Sequence, residues 1–250
     1  MSKGKRYEKK KRISFKRVIL LAIQLILLVI IIYTGMQIYK WYKENQNNNE
    51  IIEEISDAII VDEENEDIKI DFEKLKETNS DTIAWIKVNG TDIEYPVVKT
   101  TNNDYFLTHS FDKSYNSAGW IFADYKNKFD GTDKNIVVYG HNRKDGSMFG
   151  TLKNILNENW YNNEENLQIK FATEEGECTF QVFSIYRIEK EDYYITTSFK
   201  NDFEKFLNTI KKRTIKNFDI ELNENDQILT LSTCDNNNKY RVVLHAKKII

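Results

Sequence analysis

The chain is short of the residues that carry side-chain chemistry. It has 250 residues but only two cysteines, Cys178 and Cys234, and only three histidines, His109, His141 and His245. A framework of disulfides is therefore excluded, because a single Cys178–Cys234 pair is the most that could form. No internal repeat is visible, so an array of repeated units is excluded too. No acidic cluster has the spacing of a calcium loop, and neither a metal nor a cofactor is expected. Arginine is equally sparse beyond the first seventeen residues, with Arg143, Arg187, Arg213 and Arg241 alone.

Charge is distributed unevenly. Residues 1–17 hold nine Lys or Arg against one acid, Glu8. Removing them from totals of 36 bases and 39 acids leaves 27 and 38, a net charge of −11. That balance argues against a nucleic-acid partner. Residues 18–38 are almost wholly apolar, and about 20 such residues suffice to cross a bilayer as a helix. The basic block precedes this run, which predicts a cytoplasmic N-terminus and an extracellular remainder. A cleaved signal peptide is the rival reading, but no small-x-small site follows Tyr33. Four segments are thus expected: a basic cytoplasmic tail (1–17), a transmembrane anchor (18–38), a polar helical spacer (39–70) and a catalytic domain (71–250). Within the spacer, Ile51, Ile52, Ile55, Ile59 and Ile60 fall near a helical stripe that could dock on the domain.

From Thr82 onward the pattern is mainly β. Ile83–Val88 and Ile93–Val98 flank Asn89-Gly90, a hairpin signal. Trp120–Ala123, Ile136–Tyr139, Leu167–Ala172, Cys178–Ile188, Ile228–Thr233 and Arg241–Ile249 read as further strands. Short helices are expected at Asp71–Asn79, Ser147–Leu156 and, with a clear apolar face, Asp202–Arg213. Many short strands with few helices predict a barrel or sandwich.

The densest chemical signal is Thr230-Leu231-Ser232-Thr233-Cys234. Cys234 ends a largely β-branched strand, and Arg241 begins the next after a run of turn formers. If the two strands pair antiparallel, Cys234 and Arg241 lie side by side, where a nucleophile and an oxyanion stabiliser belong. On spacing alone Arg241 could equally be a surface residue at a strand end. His141, in Tyr139-Gly140-His141, also follows a strand. His245 shares the strand of Arg241 but stands ~13 Å along it, a poor partner for Cys234. His109 reads as a solvated loop residue and Cys178 as a small buried hydrophobe. Arg143 is the rival arginine near His141.

Taken together, Thr230–Cys234, Tyr139-Gly140-His141 and Arg241 resemble a sortase. Tyr95-Pro96-Val97-Val98, Phe122-Ala123-Asp124-Tyr125 and Met148-Phe149 extend the likeness, which runs from about Asp71 to Ile250. The Leu-Ser-Thr-Cys form and the helix before the catalytic strand resemble class B sortases, the membrane-anchored cysteine transpeptidases of Gram-positive bacteria. The resemblance implies an eight-stranded barrel with a groove on its wall. It implies Cys234 as nucleophile, His141 as general acid/base and Arg241 as oxyanion and substrate-positioning residue. It implies cleavage of a sorting signal of the Asn-Pro-x-Thr or Pro-x-Thr-Gly type after Thr, a thioester, and transfer to a peptidoglycan amine. Tyr193-Tyr194-Ile195-Thr196 resembles the class B segment that lines the groove, which nominates Tyr194 and Ile195. Asn103, Leu107 and Ser232 are further candidates. With Pro96 the sole proline, the Asp-Pro-aromatic lid of pilus-building sortases is absent. The partners implied are sorting-signal proteins and a peptidoglycan or lipid-linked precursor amine. The alternative is a non-catalytic, membrane-anchored cell-wall binding or signalling ectodomain, in which Cys234 is structural.

Overall fold

A computed structural model describes residues 14–62, 67–234 and 239–249. The chain divides into two compact units, residues 1–46 and 47–250. The first is the greater part of a long helix, α1 (Phe15–Ser56). Its apolar run, from Val18 through Leu25, Ile31 and Ile38, is exposed on every side. A helix that is apolar all round needs an apolar surrounding, and this one is long enough to find it in a bilayer. It is consistent with membrane anchoring.

In the second unit the last turns of α1 bury Asn48, Ile51 and Ile55. The helix expected over 39–70 ends at Ser56. A strand pair follows, β1 (Ile59–Asp62) with β2 (Asp67–Ile70), antiparallel. Four consecutive residues from Ile59 to Asp62 include two Ile and one Val, whose branched side chains favour an extended backbone over a helix. Next comes α2 (Phe72–Thr78), capped where the Asp71 carboxylate accepts from the Lys74 amide at 3.0 Å.

The remaining elements are β3 (Thr82–Val88), β4 (Ile93–Val98), β5 (Phe122–Ala123), β6 (Asn135–Gly140), α3 (Glu158–Tyr161), β7 (Gln168–Thr173), β8 (Gly176–Glu189), α4 (Phe203–Lys212), β9 (Ile228–Cys234) and β10 (Tyr240–Lys248). Among the described residues, eight strands close into a barrel in the order β10-β8-β7-β3-β4-β5-β6-β9. Closure leaves no free edge for another chain to pair with. The β3–β4 hairpin turns at Gly90, whose φ of +68° suits glycine. Ser147–Leu156, expected to be one helix, is a turn followed by a 3₁₀ segment at Leu152–Leu156. Met148, at φ +55°, leaves the helical region and interrupts it, and Gly150 must be glycine because a Cβ there would meet backbone atoms of Arg143 and Gly146 within 3 Å.

The main core cluster includes Trp85, Trp120, Phe106, Phe111, Phe149 and Phe171, and extends from the barrel to Ile51 and Ile55 of α1 and Phe72 and Leu75 of α2. Trp120 is fully buried and its indole N–H donates to the Pro96 carbonyl at 3.0 Å. A second cluster lies where Phe203, Phe206, Leu207 and Ile210 of α4 pack on Phe183, Tyr186 and Val243. The i, i+3, i+4, i+7 spacing of these four α4 residues is that of one helical stripe. Burying each such side chain contributes about 1.5–3 kcal/mol.

Candidate active site

Strand register brings the candidate catalytic residues together. In the parallel pair β6–β9, Tyr139 stands opposite Ser232 and Gly140 opposite Thr233. One residue further in the same direction are His141 and Cys234. On the other side, β9 and β10 are antiparallel with Arg241 directly opposite Cys234. The end of β9 is thus flanked by His141 through one neighbour and Arg241 through the other. The Thr233 hydroxyl donates to the Gly140 carbonyl at 2.7 Å and ties the two strand ends together. The side chain of Cys234 and the turn residues 235–238 lie outside the described residues.

A groove of about 430 Å³ opens at this point. Its lining includes His141 and Arg241, and also Asn103, Leu107, Tyr194, Ile195 and Ser232. All five residues nominated for substrate contact therefore meet at one place. Lys190, Asp104, Glu191 and Asp192 add charge of both signs at the same groove.

His141 is held along one edge of its ring. Its Nε2 is 2.8 Å from the Leu107 carbonyl oxygen. A carbonyl only accepts, so Nε2 carries a proton and donates. In the neutral ring Nδ1 is then the atom with a free lone pair, the one able to take a proton. Gly119, with φ +61°, packs on the same edge of the ring: a Cβ there would fall 2.9 Å from His141 Cδ2 and 2.5 Å from the Phe106 oxygen. Gly140 is equally constrained, since its Cβ would sit 2.5 Å from Ile121 Cδ1. The glycine before His141, expected from sequence to allow a turn, is instead the last residue of β6 and is required by packing.

The groove floor is fixed by a buried carboxylate that sequence reasoning did not single out for a role. Asp124, 3 % exposed, accepts at Oδ2 from the Tyr139 hydroxyl at 2.8 Å and from Asn103 Nδ2 at 2.9 Å. Its Oδ1 accepts from the Lys126 amide. Burial, reinforced by the Asp124 charge, pushes the Tyr139 phenol well above its ordinary range, so it stays a donor. The one sequence signal was Phe122-Ala123-Asp124-Tyr125, which marks the segment but not the clamp.

The opposite wall hangs on a polar network around His245. This histidine is fully buried, and burial with Arg213 nearby lowers its pKa to about 3. It is a core residue, as its distance along the strand from Cys234 implied. The Tyr186 hydroxyl lies 2.8 Å from Nε2 and Thr230 Oγ1 lies 2.8 Å from Nδ1. Thr230 gives its own proton to Asn135 Oδ1 at 2.6 Å, so it accepts from Nδ1–H, and Tyr186 donates to Nε2. Asn135 Nδ2 then donates to the carbonyls of Tyr194 and Thr196 at 3.3 and 2.9 Å. The Tyr194 hydroxyl is 3.0 Å from Ser232 Oγ. A chain of directed hydrogen bonds thereby holds the 3₁₀ turn Tyr193–Ile195 against the barrel wall.

The rival residues fall elsewhere. Arg143 grips Asp145, with Nη2 2.6 Å from Oδ2. Burial alone would raise the Asp145 carboxyl, but hydrogen bonds from Arg143 and Ser147 outweigh it and hold the carboxyl at about 2. His109 stacks on Tyr105 at 4.1 Å and shares a hydrogen bond with the Tyr105 carbonyl, so it is more tightly held than a solvated loop residue. Cys178 has a free thiol that donates to the Phe171 carbonyl, in a separate recess with Phe180 and Lys248. Burial pushes this thiol up, which disfavours a thiolate. Among the described residues no three His, Cys, Asp or Glu side chains gather to hold a metal ion.

A closed eight-stranded barrel with a wall groove, at which the end of β9 is flanked by His141 and Arg241, is the architecture in which the site is set. Comparison with known proteins gives the family. Residues 86–249 match the sortase domain, and the chain belongs to the sortase family, whose members are cysteine transpeptidases. It is 32% identical to sortase B of Staphylococcus aureus over 234 residues, covering 91% of this chain and 95% of that protein. The crystal structure of Clostridium perfringens sortase B is 39% identical, with a TM-score of 0.68 over 72% of this chain and all of that one. Sortase B of Bacillus anthracis, in complex with AAEK2, has a TM-score of 0.72 at 33% identity, covering 84% and 97%. The eight-stranded class B barrel expected from sequence is the observed one.

Proposed function

We propose that this sortase cleaves a C-terminal sorting signal of the Asn-Pro-x-Thr or Pro-x-Thr-Gly type after its Thr and transfers the acyl group to a peptidoglycan amine. The observation that carries the reading is the register that flanks Cys234 with His141 and Arg241 at the groove. In this reading the Cys234 thiolate attacks the Thr carbonyl carbon. Negative charge develops on the carbonyl oxygen, where the Arg241 guanidinium stabilises it. The C–N bond breaks, the leaving amine takes a proton from the His141 imidazolium, and a Cys234 thioester remains. An incoming amine then attacks the thioester carbon while His141 Nδ1 removes its proton, and Cys234 leaves as thiolate. A thioester conserves acyl energy, which lets an amine compete with water.

Tyr194, Ile195, Ser232, Leu107 and Asn103 form the peptide subsites in this scheme. Residues 18–38 are the anchor, with 1–17 cytoplasmic and the catalytic domain from about residue 71 outside. The partners are sorting-signal proteins and peptidoglycan or its lipid-linked precursor. No metal or cofactor enters the scheme.

The test is cleavage of fluorogenic pentapeptides of both signal types by the full chain in detergent, with and without an amine acceptor. Cys234→Ala and His141→Ala should each abolish turnover, and the wild type should show a thioester adduct on Cys234 by mass spectrometry. Turnover surviving in Cys234→Ala would sink the reading and reassign the nucleophile, whereas a wild type that cleaves neither signal type would favour a non-catalytic ectodomain.

A further inference from the structure

The loop that orients His141 is itself held by the helix that follows the apolar run. Both groups that orient the His141 ring, the Leu107 carbonyl and Gly119, belong to the segment between β4 and β5. Across this segment the Asn116 amide N–H donates to the Thr108 carbonyl at 2.9 Å, and the Trp120 N–H to the Phe106 carbonyl at 2.9 Å. Asn116 also shapes the turn that ends in Gly119: its carbonyl accepts from the Gly119 N–H and its Oδ1 from the Ala118 N–H. The position of Asn116 therefore fixes Leu107 and Gly119 together.

Asn116 is fixed in turn by α1. Asn48, 4 % exposed, presents one oxygen to two donors of this segment. Its Oδ1 accepts from the Ser110 hydroxyl at 2.7 Å and from Asn116 Nδ2 at 2.9 Å. Ser110 and Asn116 are both fully enclosed, so these bonds cannot be exchanged for water without opening the packing. Asn47 adds a weaker contact to Ser114. A spacer helix would need no buried amide, and an apolar residue would suit a merely packed one.

We propose that Asn48 is a positioning residue for catalysis: by accepting from Ser110 and Asn116 it fixes the loop that orients His141. This rests on the reading of His141 as the acid/base. The domain would then be fully active only when the end of α1 is seated, and truncation after Asn48 would leave a folded but slower enzyme.

The experiment uses the full chain in detergent, with histidine ring nitrogens labelled with ¹⁵N. Only three histidines are present, so His141 is assignable by comparison with His141→Ala. Two readouts are taken: kcat/KM on the fluorogenic sorting peptide, and the His141 tautomer. Asn48→Asp keeps an oxygen able to accept both bonds and should retain the rate and the single Nε2–H form. Asn48→Leu removes the acceptor at similar volume. It should lose about 10- to 10²-fold in kcat/KM, up to the scale of a group misplaced by about 1 Å, and show mixed tautomers. Ser110→Ala, which removes one donor, should lie between them and decides the matter if Asn48→Leu does not fold. Wild-type rate and an unchanged His141 spectrum in the folded acceptor-less variants would overturn the proposal. So would equal damage in Asn48→Asp and Asn48→Leu, which would reduce the residue to packing. Retained activity in His141→Ala would sink the catalytic reading instead, while the spectra would still report on the positioning.

Discussion

His245 makes the stability of the barrel depend on pH in a direction that can be worked out. Buried against Tyr186, Thr230, Phe183 and Phe206, it is held neutral in the folded chain, with a pKa lowered from 6.5 to about 3. The unfolded chain protonates the same ring at its ordinary pKa. Between pH 6.5 and about 3 the unfolded state therefore binds the extra proton, and stability rises with pH. Above pH 6.5 the group contributes no slope. Each pH unit within the window is worth about 1.4 kcal/mol. Going from pH 7 to pH 5 should thus cost the wild type about 2 kcal/mol through this one residue. For a chain of this size that is a fall of about 4–8 °C in Tm.

The perturbation is His245→Gln, which removes the titration and keeps a polar group among the same partners. Its Tm at pH 7 should be lower than that of the wild type, because one geometry cannot serve both Tyr186 and Thr230. The informative quantity is the difference in pH slope, since the carboxylates contribute equally to both proteins. Unfolding is followed by tryptophan fluorescence, since Trp85 and Trp120 are both buried in the folded chain. The gap in Tm between the two proteins should narrow by about 4–8 °C from pH 7 to pH 5. Parallel slopes would refute the argument, and so would a wild type that gains stability over this window. Peptide KM should also rise in the variant at pH 7, because the same network holds the Tyr194 turn.

Arg241→Ala should lose about 10²–10³ in kcat, and Arg241→Lys should remain impaired because an ammonium lacks the guanidinium fork; steady-state cleavage of the sorting peptide checks both. Cys178→Ala should keep nearly full activity, since its thiol lies in a separate recess and is disfavoured as thiolate; a dead variant would reassign the nucleophile. Asp124→Ala frees both Tyr139 and Asn103, so KM should rise about tenfold with a smaller change in kcat, read from full saturation curves. Gly140→Ala forces a Cβ onto Ile121 and Phe149 and should cost about 1–3 kcal/mol, measured by thermal melting.

Strand identities were legible because alternation and β-branching are local. Each strand expected from Ile83 onward is found within a few residues of its expected bounds, apart from Trp120–Ala123, which shortens to Phe122–Ala123. The parts that were not legible depend on partners far away in sequence. The Ser147–Leu156 pattern reads as a helix, but Met148 takes a left-handed conformation, φ +55°, that a right-handed helix excludes. Ile59 fits the helical stripe of α1 as well as it fits a strand, and pairing with Ile70 decides between them.

The site divides the same way. Cys234 ends a strand, His141 directly follows one and Arg241 is the second residue of another, a property that a single segment displays. What joins them is the register of two different pairings, parallel on one side of β9 and antiparallel on the other. The residues that hold the site and its groove in place are less visible still. Asn48 stands in a run of polar residues that looks like a solvated helix, yet its partners lie 62 and 68 residues away. Asp124 and His245 likewise look like an exposed carboxylate and an idle histidine until Tyr139 and Tyr186 are placed beside them. Residue types suited to bond making can be picked out of a sequence because chemistry restricts them to a few. Residues that aim those groups can be any side chain with the right donor or acceptor, so only the fold identifies them.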